Sequence, residues 1–138
     1  MRTLTIFAYG TLITGARSSA IRALLDACLI RRREGWIRGR LYDLGPYPGL
    51  VAAPRRRERV RGEVLELRSP GRCLGPLDEY EDYDVRQPHT SPYRRVWSRV
   101  GLQGGGDVWA WVYWYQGHRH RAHHIPNGDW RHWIGQGG

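Results

Sequence analysis

The alternation of hydrophobic and polar positions at the start of the chain predicts a buried strand followed by a helix. Residues 3–9 alternate and then run apolar up to Gly10, as a buried first strand does. Ser18 and Ser19 can cap a short helix over residues 20–26, where apolar side chains recur at the helical period. This part of the chain therefore predicts one strand and one helix, separated by a glycine-containing bend.

Alternating apolar and charged residues in the middle of the chain predict more strands. Residues 29–44 fit either a strand pair or one long bent strand, with Gly35 and Gly39 at bends or bulges. Short strands are then expected at residues 50–53 and 60–67, with a rigid turn at 45–49 and a charged hairpin loop at 55–59.

The second half of the chain predicts one further helix and a hairpin. Ser69 as N-cap and Pro70 at the first helical position begin a helix that Gly75 and Pro76 should leave short or broken. Two strands rich in Trp, Val and Tyr follow it, joined by a glycine turn; they are predicted at residues 93–102 and 107–115, with the turn at 104–106.

These elements together predict an α+β fold, a small mixed barrel-like sheet with one or two short helices. The length fits a single domain, 1–138, whose last part, residues 116–138, is rich in His, Arg and Gly. No stretch approaches the ~18–20 apolar residues that span a bilayer, and residues 1–9 lack the features of a signal peptide. We therefore expect a cytoplasmic protein with no membrane partner.

Cysteine and histidine, frequent metal ligands, give no strong metal signal in this chain. Cys28 and Cys73 provide neither a disulfide framework nor a ligand spacing, so we expect two small buried hydrophobic residues in a reducing compartment. His120 and His124 could share a helix face. However, their surroundings at residues 118–124 are not amphipathic, and we interpret this stretch as a solvated surface segment without a metal.

The net charge of +9 raises nucleic acid as a partner. All 22 basic residues are Arg, whereas a surface selected to bind phosphate usually recruits Lys as well. A basic nucleic-acid-binding module is therefore an alternative function, with Arg31–Arg33, Arg55–Arg57 and exposed Trp rings as its contacts.

The segment Tyr9-Gly10-Thr11-Leu12 is the first of two candidate chemical motifs. A strand that ends in glycine can turn tightly and let a ligand approach, since no Cβ stands in the way. Successive backbone N–H groups in such a bend can bind an anion. Taken alone, the segment is equally typical of an ordinary strand-to-loop turn.

The second motif is the acidic run at residues 78–82, followed by Asp84. On a helix, Glu81 would share a face with Leu77 and Tyr80 and would be partly buried. Partial burial raises the pKa of a carboxyl group and makes it a better base near neutral pH. The alternative is a solvated acidic turn that pairs with surface Arg residues.

With these motifs in this order, the chain resembles the gamma-glutamylcyclotransferase-like family, of the gamma-glutamylamine cyclotransferase type. The resemblance covers about residues 4–130 and includes further segments, each loose alone but specific together. These segments are residues 39–50, 60–64, 93–96, 110–113 and 125–130.

This resemblance implies a small α+β barrel and an enzyme that needs no cofactor. Its small-molecule substrate would be a γ-glutamyl amino acid or amine, which cyclises to 5-oxoproline and releases the free amine. The resemblance implies Glu81 as the general acid/base. The substrate would be bound by other residues of the same motifs, which are Tyr9, Gly10, Thr11, Leu12, Tyr93 and Tyr113.

Asp82 departs from the family's pattern, in which glycine often follows the glutamate. It places a second negative charge beside Glu81, and this charge should raise the pKa of the base. A family member that binds a metabolite without catalysis is a further alternative function.

Overall fold

The computed structural model describes residues 2–15, 18–53, 57–119 and 122–136. Most of its strands and helices follow the hydrophobic pattern of the sequence. In chain order they are β1 Thr3–Ala8, α1 Thr11–Thr14, α2 Ser19–Cys28, β2 Leu29–Arg38, β3 Arg40–Asp43, β4 Pro48–Val51, β5 Arg59–Arg68, α3 Pro70–Tyr80, β6 Tyr93–Leu102, β7 Asp107–Tyr115, β8 His123–Ile125 and α4 Trp130–Gln136.

Five of the strands form a closed barrel in the order β1-β5-β2-β6-β7. Neighbouring strands are antiparallel except where β7 meets β1, a parallel contact through Ile6 and Trp111. The other three strands form a small sheet in the order β4-β3-β8. The predicted α+β fold with a mixed, barrel-like sheet is therefore confirmed.

Successive residues of β1 supply two different hydrophobic clusters, because side chains alternate across a strand. Leu4 and Ile6 pack in the first cluster, to which α2 and α3 also contribute. Phe7 and Tyr9 belong to the second cluster, with residues of the small sheet and of the barrel strands. The end of β1 therefore lies between both cores, with α3 on one side and β4 on the other.

The segment from 29 to 44 is a pair of strands in two different sheets, one of the two alternatives that the sequence left open. Gly39 separates them, and a Cβ there would lie 2.7 Å from Leu50 Cδ1. Gly35 is not a bulge, since the irregularity of β2 lies between Leu29 and Arg31. Gly35 instead allows β6 to approach, because a Cβ would lie 2.8 Å from the Gly101 carbonyl oxygen.

The two predicted helices are present, and both begin near the predicted serines. The Ser18 hydroxyl accepts a hydrogen bond from the Ile21 N–H, as expected of an N-cap. Ser69 occupies the N-cap of α3 with a left-handed backbone and makes no side-chain cap. The expectation that α3 would be short or broken was wrong, because it runs through Pro76 for 11 residues.

Tertiary packing explains why α3 continues through its glycine and proline. Cys73 and Leu77, one helical turn apart, are both fully buried in the first cluster. Burial of these side chains offsets the hydrogen bond that Pro76 cannot donate. Cys28 lies in the same cluster, so both cysteines are buried as predicted. Burial also raises the pKa of the Cys73 thiol to about 11.

The described residues of the predicted solvated segment, 118–124, are exposed or half-buried, and the core resumes directly after them. β8 pairs with β3, and Ile125 and Trp130 are buried in the second cluster. Trp133 in α4 donates a hydrogen bond from Nε1 to Asp43 Oδ2 at 2.8 Å. His120 and the first two residues of the predicted charged loop, 55 and 56, lie outside the described residues, and the last residue of that loop, Arg59, begins β5.

Within the described parts of the chain, no helix is both long enough and apolar enough to cross a membrane.

Because β8 and α4 complete the core, we expect Ile125→Ala to lower the free energy of unfolding by about 2–5 kcal/mol, the usual cost of truncating a buried Ile. Ile134 in α4 is 44% exposed and is a matched control. Ile134→Ala should change stability by less than about 0.5 kcal/mol. Urea unfolding of both variants measures the difference, and equal small effects would show that the segment is peripheral.

Candidate functional site

The Tyr9–Leu12 segment lies where β1 ends and α1 begins. The Gly10 carbonyl accepts hydrogen bonds from the N–H groups of Ile13 and Thr14, at 3.1 and 3.2 Å. The first N–H groups of a helix have no intrahelical acceptor, and no side chain caps α1. The N–H groups of Thr11 and Leu12 therefore stand at an uncapped helical turn.

Gly10 is constrained both by its backbone and by packing. Its φ of −136° and ψ of −129° lie outside the usual helical and strand regions. A Cβ at this position would lie 2.8 Å from Pro48 Cγ, at the start of β4. Gly10 therefore allows Pro48 to approach closely, and it also lines the pocket described below; its approach to a ligand stays a prediction.

Glu81 follows the last residue of α3 and is partly buried. Its N–H donates to the Leu77 carbonyl at 3.0 Å, which completes the helix. Asp82 then adopts a left-handed backbone with φ 55°, the conformation that usually favours glycine after a helix. Aspartate tolerates this conformation better than most residues, so the turn is kept while a charge is added.

The surroundings of Glu81 favour its neutral form. Burial, together with the charge of Asp82, raises its pKa from an ordinary value of 4.5 to about 8. Among the described residues, no ion pair or side-chain hydrogen bond to the carboxyl group opposes this shift. The carboxyl can therefore both take up and release a proton near neutral pH.

Glu81 and the end of β1 line one pocket. Its empty volume is about 530 Å³, including open space at its mouth. All seven residues that the sequence singled out for catalysis or substrate binding lie in its walls. Among the described residues, the lining consists of Phe7, Ala8, Tyr9, Gly10, Thr11, Leu12, Tyr47, Pro48, Tyr80, Glu81, Asp82, Tyr93 and Tyr113.

The hydroxyl groups of three pocket tyrosines each bond to the protein. Tyr9 donates to the Tyr113 carbonyl at 2.5 Å, and Tyr93 donates to the Pro48 carbonyl at 2.7 Å. Tyr113 donates to Asp78 Oδ1, also at 2.7 Å. Burial is the main reason that the pKa of each of these tyrosines lies well above its ordinary value. All three therefore remain protonated.

Sequence reasoning did not assign Tyr47, Pro48 or Tyr80 to the site. Tyr80 shares the predicted helix face with Glu81, and its hydroxyl lies 2.6 Å from the Thr11 hydroxyl. Tyr47 and Pro48 belong to a turn far from both motifs in sequence. Pairing of β4 with β3 and the contact of Pro48 with Gly10 place them here, and no local pattern signals this.

His124 does not point to a metal site. Its Nε2 lies 2.8 Å from Glu58 Oε2, within the small sheet. No group of three or more His, Cys, Asp or Glu residues suited to hold a metal ion occurs among the described residues.

The fold agrees with comparisons to known proteins. Residues 6–132 match the family described as gamma-glutamyl cyclotransferase, AIG2-like. The chain belongs to this family. A Vibrio cholerae protein named "Putative gamma-glutamylcyclotransferase" is 36% identical over 126 residues, which are 91% of this chain and 93% of that protein.

Two crystal structures show the same fold. An AIG2-like protein from Mus musculus has a TM-score of 0.63 and 26% identity, over 86% of this chain and 80% of the mouse protein. YkqA from Bacillus subtilis has a TM-score of 0.66 and 21% identity, over 95% of this chain. This chain spans 40% of the length of YkqA, so that comparison concerns the fold of one part of YkqA.

The raised pKa of Glu81 predicts how stability depends on pH. Between pH 4.5 and about 8 the folded protein retains a proton that the unfolded chain has released, so stability falls as pH rises through this range. We expect Glu81→Gln to remove this contribution and to gain stability relative to the parent as pH rises. Urea unfolding at pH 5 and pH 8.5 measures the free energy of unfolding of both proteins. An identical dependence of this free energy on pH in both would contradict the raised pKa of Glu81.

Proposed function

We propose that this protein is a gamma-glutamylcyclotransferase that acts on a γ-glutamyl amino acid or amine. The substrate's α-amine attacks its own γ-carbonyl carbon and forms a new C–N bond. The bond from that carbon to the leaving nitrogen then breaks. The products are 5-oxoproline and the free amine, and atoms balance without water, cofactor or metal.

The single observation that supports this proposal best is the position of Glu81 in the pocket at the end of β1. The nucleophile in this reaction belongs to the substrate, so the protein need only fold it into a reactive conformation and move a proton. A carboxyl whose pKa is about 8 suits that exchange. Glu81 takes a proton from the α-ammonium group and later gives one to the leaving nitrogen.

The turn at residues 10–12 has a complementary role in the proposal. Negative charge develops on the γ-carbonyl oxygen as the amine attacks. The N–H groups of Thr11 and Leu12, at the uncapped start of α1, stabilise that oxygen or the glutamyl carboxylate. Tyr9, Gly10, Tyr93 and Tyr113 complete the wall that surrounds the glutamyl group.

The alternative of a nucleic-acid-binding module is weakened by ion pairing. Arg31 and Arg33 both bond to Glu66 Oε1, at 3.1 and 3.2 Å. Arg32 lies 3.9 Å from Glu63. Guanidinium groups already paired with carboxylates neutralise fewer phosphates. These ion pairs favour a small-molecule γ-glutamyl substrate over a polyanionic partner.

The test is Glu81→Gln, which keeps the shape of the side chain and removes the base. We expect turnover to fall by ~10²–10⁴-fold, the usual contribution of a general acid–base group. The assay measures 5-oxoproline released from a panel of γ-glutamyl amines and amino acids. No 5-oxoproline from any substrate with the parent protein would reject the activity and favour a silent, metabolite-binding member.

Glu79→Gln is the matched control, because Glu79 is exposed on the same helix and does not line the pocket. It should keep turnover within about twofold of the parent, since a surface charge change has little effect on an enclosed reaction. Near-normal turnover in Glu81→Gln would exclude Glu81 as the base even if the protein is a cyclotransferase.

A further inference from the structure

Tyr113 has a single hydroxyl proton, and the structure shows which group accepts the hydrogen bond from it. Tyr113 is in β7, is 2% exposed, and lines the same pocket as Glu81. Its hydroxyl donates to Asp78 Oδ1 at 2.7 Å. Because a phenol has one O–H and otherwise only lone pairs, the Tyr113 oxygen can only accept hydrogen bonds from a ligand.

Arg95 holds Asp78 in the position that makes this possible. Arg95 Nε lies 2.8 Å from Asp78 Oδ1, and Nη2 lies 3.3 Å from Oδ2, a two-point contact. The side chains are 11% and 14% exposed, so the pair is largely removed from water. The guanidinium also lies 4.4 Å from the centre of the Trp111 ring, which further restricts it.

A second tyrosine of the pocket is oriented in the same way. The Tyr93 hydroxyl donates its hydrogen bond to the Pro48 carbonyl, so the Tyr93 oxygen also presents only lone pairs to a ligand. Tyr93, Tyr113 and Glu81 all line this pocket, and the charge of Glu81 contributes to raising the pKa of both tyrosines. Two tyrosine oxygens that can only accept hydrogen bonds therefore line one pocket with the Glu81 carboxyl, which can accept through its carbonyl oxygen.

An ammonium group is the ligand group that fits such a set. It has three N–H donors and no acceptor, whereas a carboxylate has only lone pairs and would face those of the two tyrosines. In a γ-glutamyl substrate the α-ammonium is that group, and it is also the source of the proton that Glu81 is proposed to take.

We propose that Asp78 and Arg95 are positioning residues that hold the Tyr113 hydroxyl as an acceptor, so that Tyr113, Tyr93 and Glu81 form a subsite for the substrate's α-ammonium group. This inference rests on the proposed function for the identity of the substrate. Neither Asp78 nor Arg95 lines the pocket, and both act on the ligand through Tyr113.

The experiment compares two ligands that differ only in the α-ammonium group. L-Glutamine is a γ-glutamyl amide, and glutaramate is the same molecule without its α-amino group. We expect the parent protein to bind L-glutamine more tightly than glutaramate in calorimetric titrations. Tyr113→Phe should weaken the binding of L-glutamine by about tenfold or more, the usual loss for a hydrogen bond to a charged group. The affinity for glutaramate should change by less than about twofold.

Variants of the pair test whether it acts through Tyr113. Asp78→Ala removes the acceptor and should reproduce the selective loss, while Asp78→Asn keeps an oxygen for the tyrosine proton and should restore part of the L-glutamine affinity. Arg95→Gln should also lose the selectivity in part. Arg99→Gln is the matched control, because Arg99 is on the same strand and pairs with Asp107 instead; its ligand affinities should equal those of the parent.

The outcomes separate this inference from the proposed function. If Asp78→Ala lowers the affinity for both ligands equally, or if the parent shows no preference for L-glutamine, the inference of an ammonium subsite is wrong even when 5-oxoproline is formed. If selective loss occurs but no γ-glutamyl substrate is cyclised, the subsite stands and the enzymatic proposal fails. Should Asp78→Ala fail to fold, Tyr113→Phe, which removes one oxygen atom, decides the question.

Discussion

The packing of α3 against the barrel is the constraint on which the candidate site depends. Cys73 and Leu77 are fully buried in the first hydrophobic cluster and fix the rotation of the helix. With that rotation set, Asp78 meets Arg95 of β6 and Glu81 arrives at the end of β1. Helix position, ion pair and pocket are therefore consequences of one apolar interface.

The site combines two acidic residues three positions apart, one in α3 and one directly after it. Asp78 has a cationic partner and Glu81 has none among the described residues. Asp78 is paired with Arg95 and serves as a hydrogen-bond acceptor. Glu81 has no cationic partner among the described residues, and burial with the Asp82 charge raises its pKa. Keeping Glu81 unpaired costs stability at high pH, and the same property makes it suited to exchange a proton with a ligand.

The sequence allowed most strands to be predicted, because alternation and turn glycines are local signals. Residues 93–102 and 107–115 are strands with those bounds. The failures were at places where distant contacts override local composition. Pro76 was expected to shorten or break α3, but burial of Cys73 and Leu77 stabilises the helix through this position. Strand β8 at residues 123–125 was not predicted, because its pairing with β3 depends on residues distant in sequence.

For the site, the sequence by itself determined which residues to expect together: the order of motifs indicated Glu81 and Tyr9–Leu12, and these residues line one pocket. Side-chain type and helical spacing can be read directly from the chain. Only the tertiary structure decided that Pro48 packs against Gly10 and that the Tyr113 hydroxyl donates its hydrogen bond to Asp78. These are contacts between residues 35 or more positions apart. Local propensity carries no information about such contacts, because strand pairing and core packing bring their partners together.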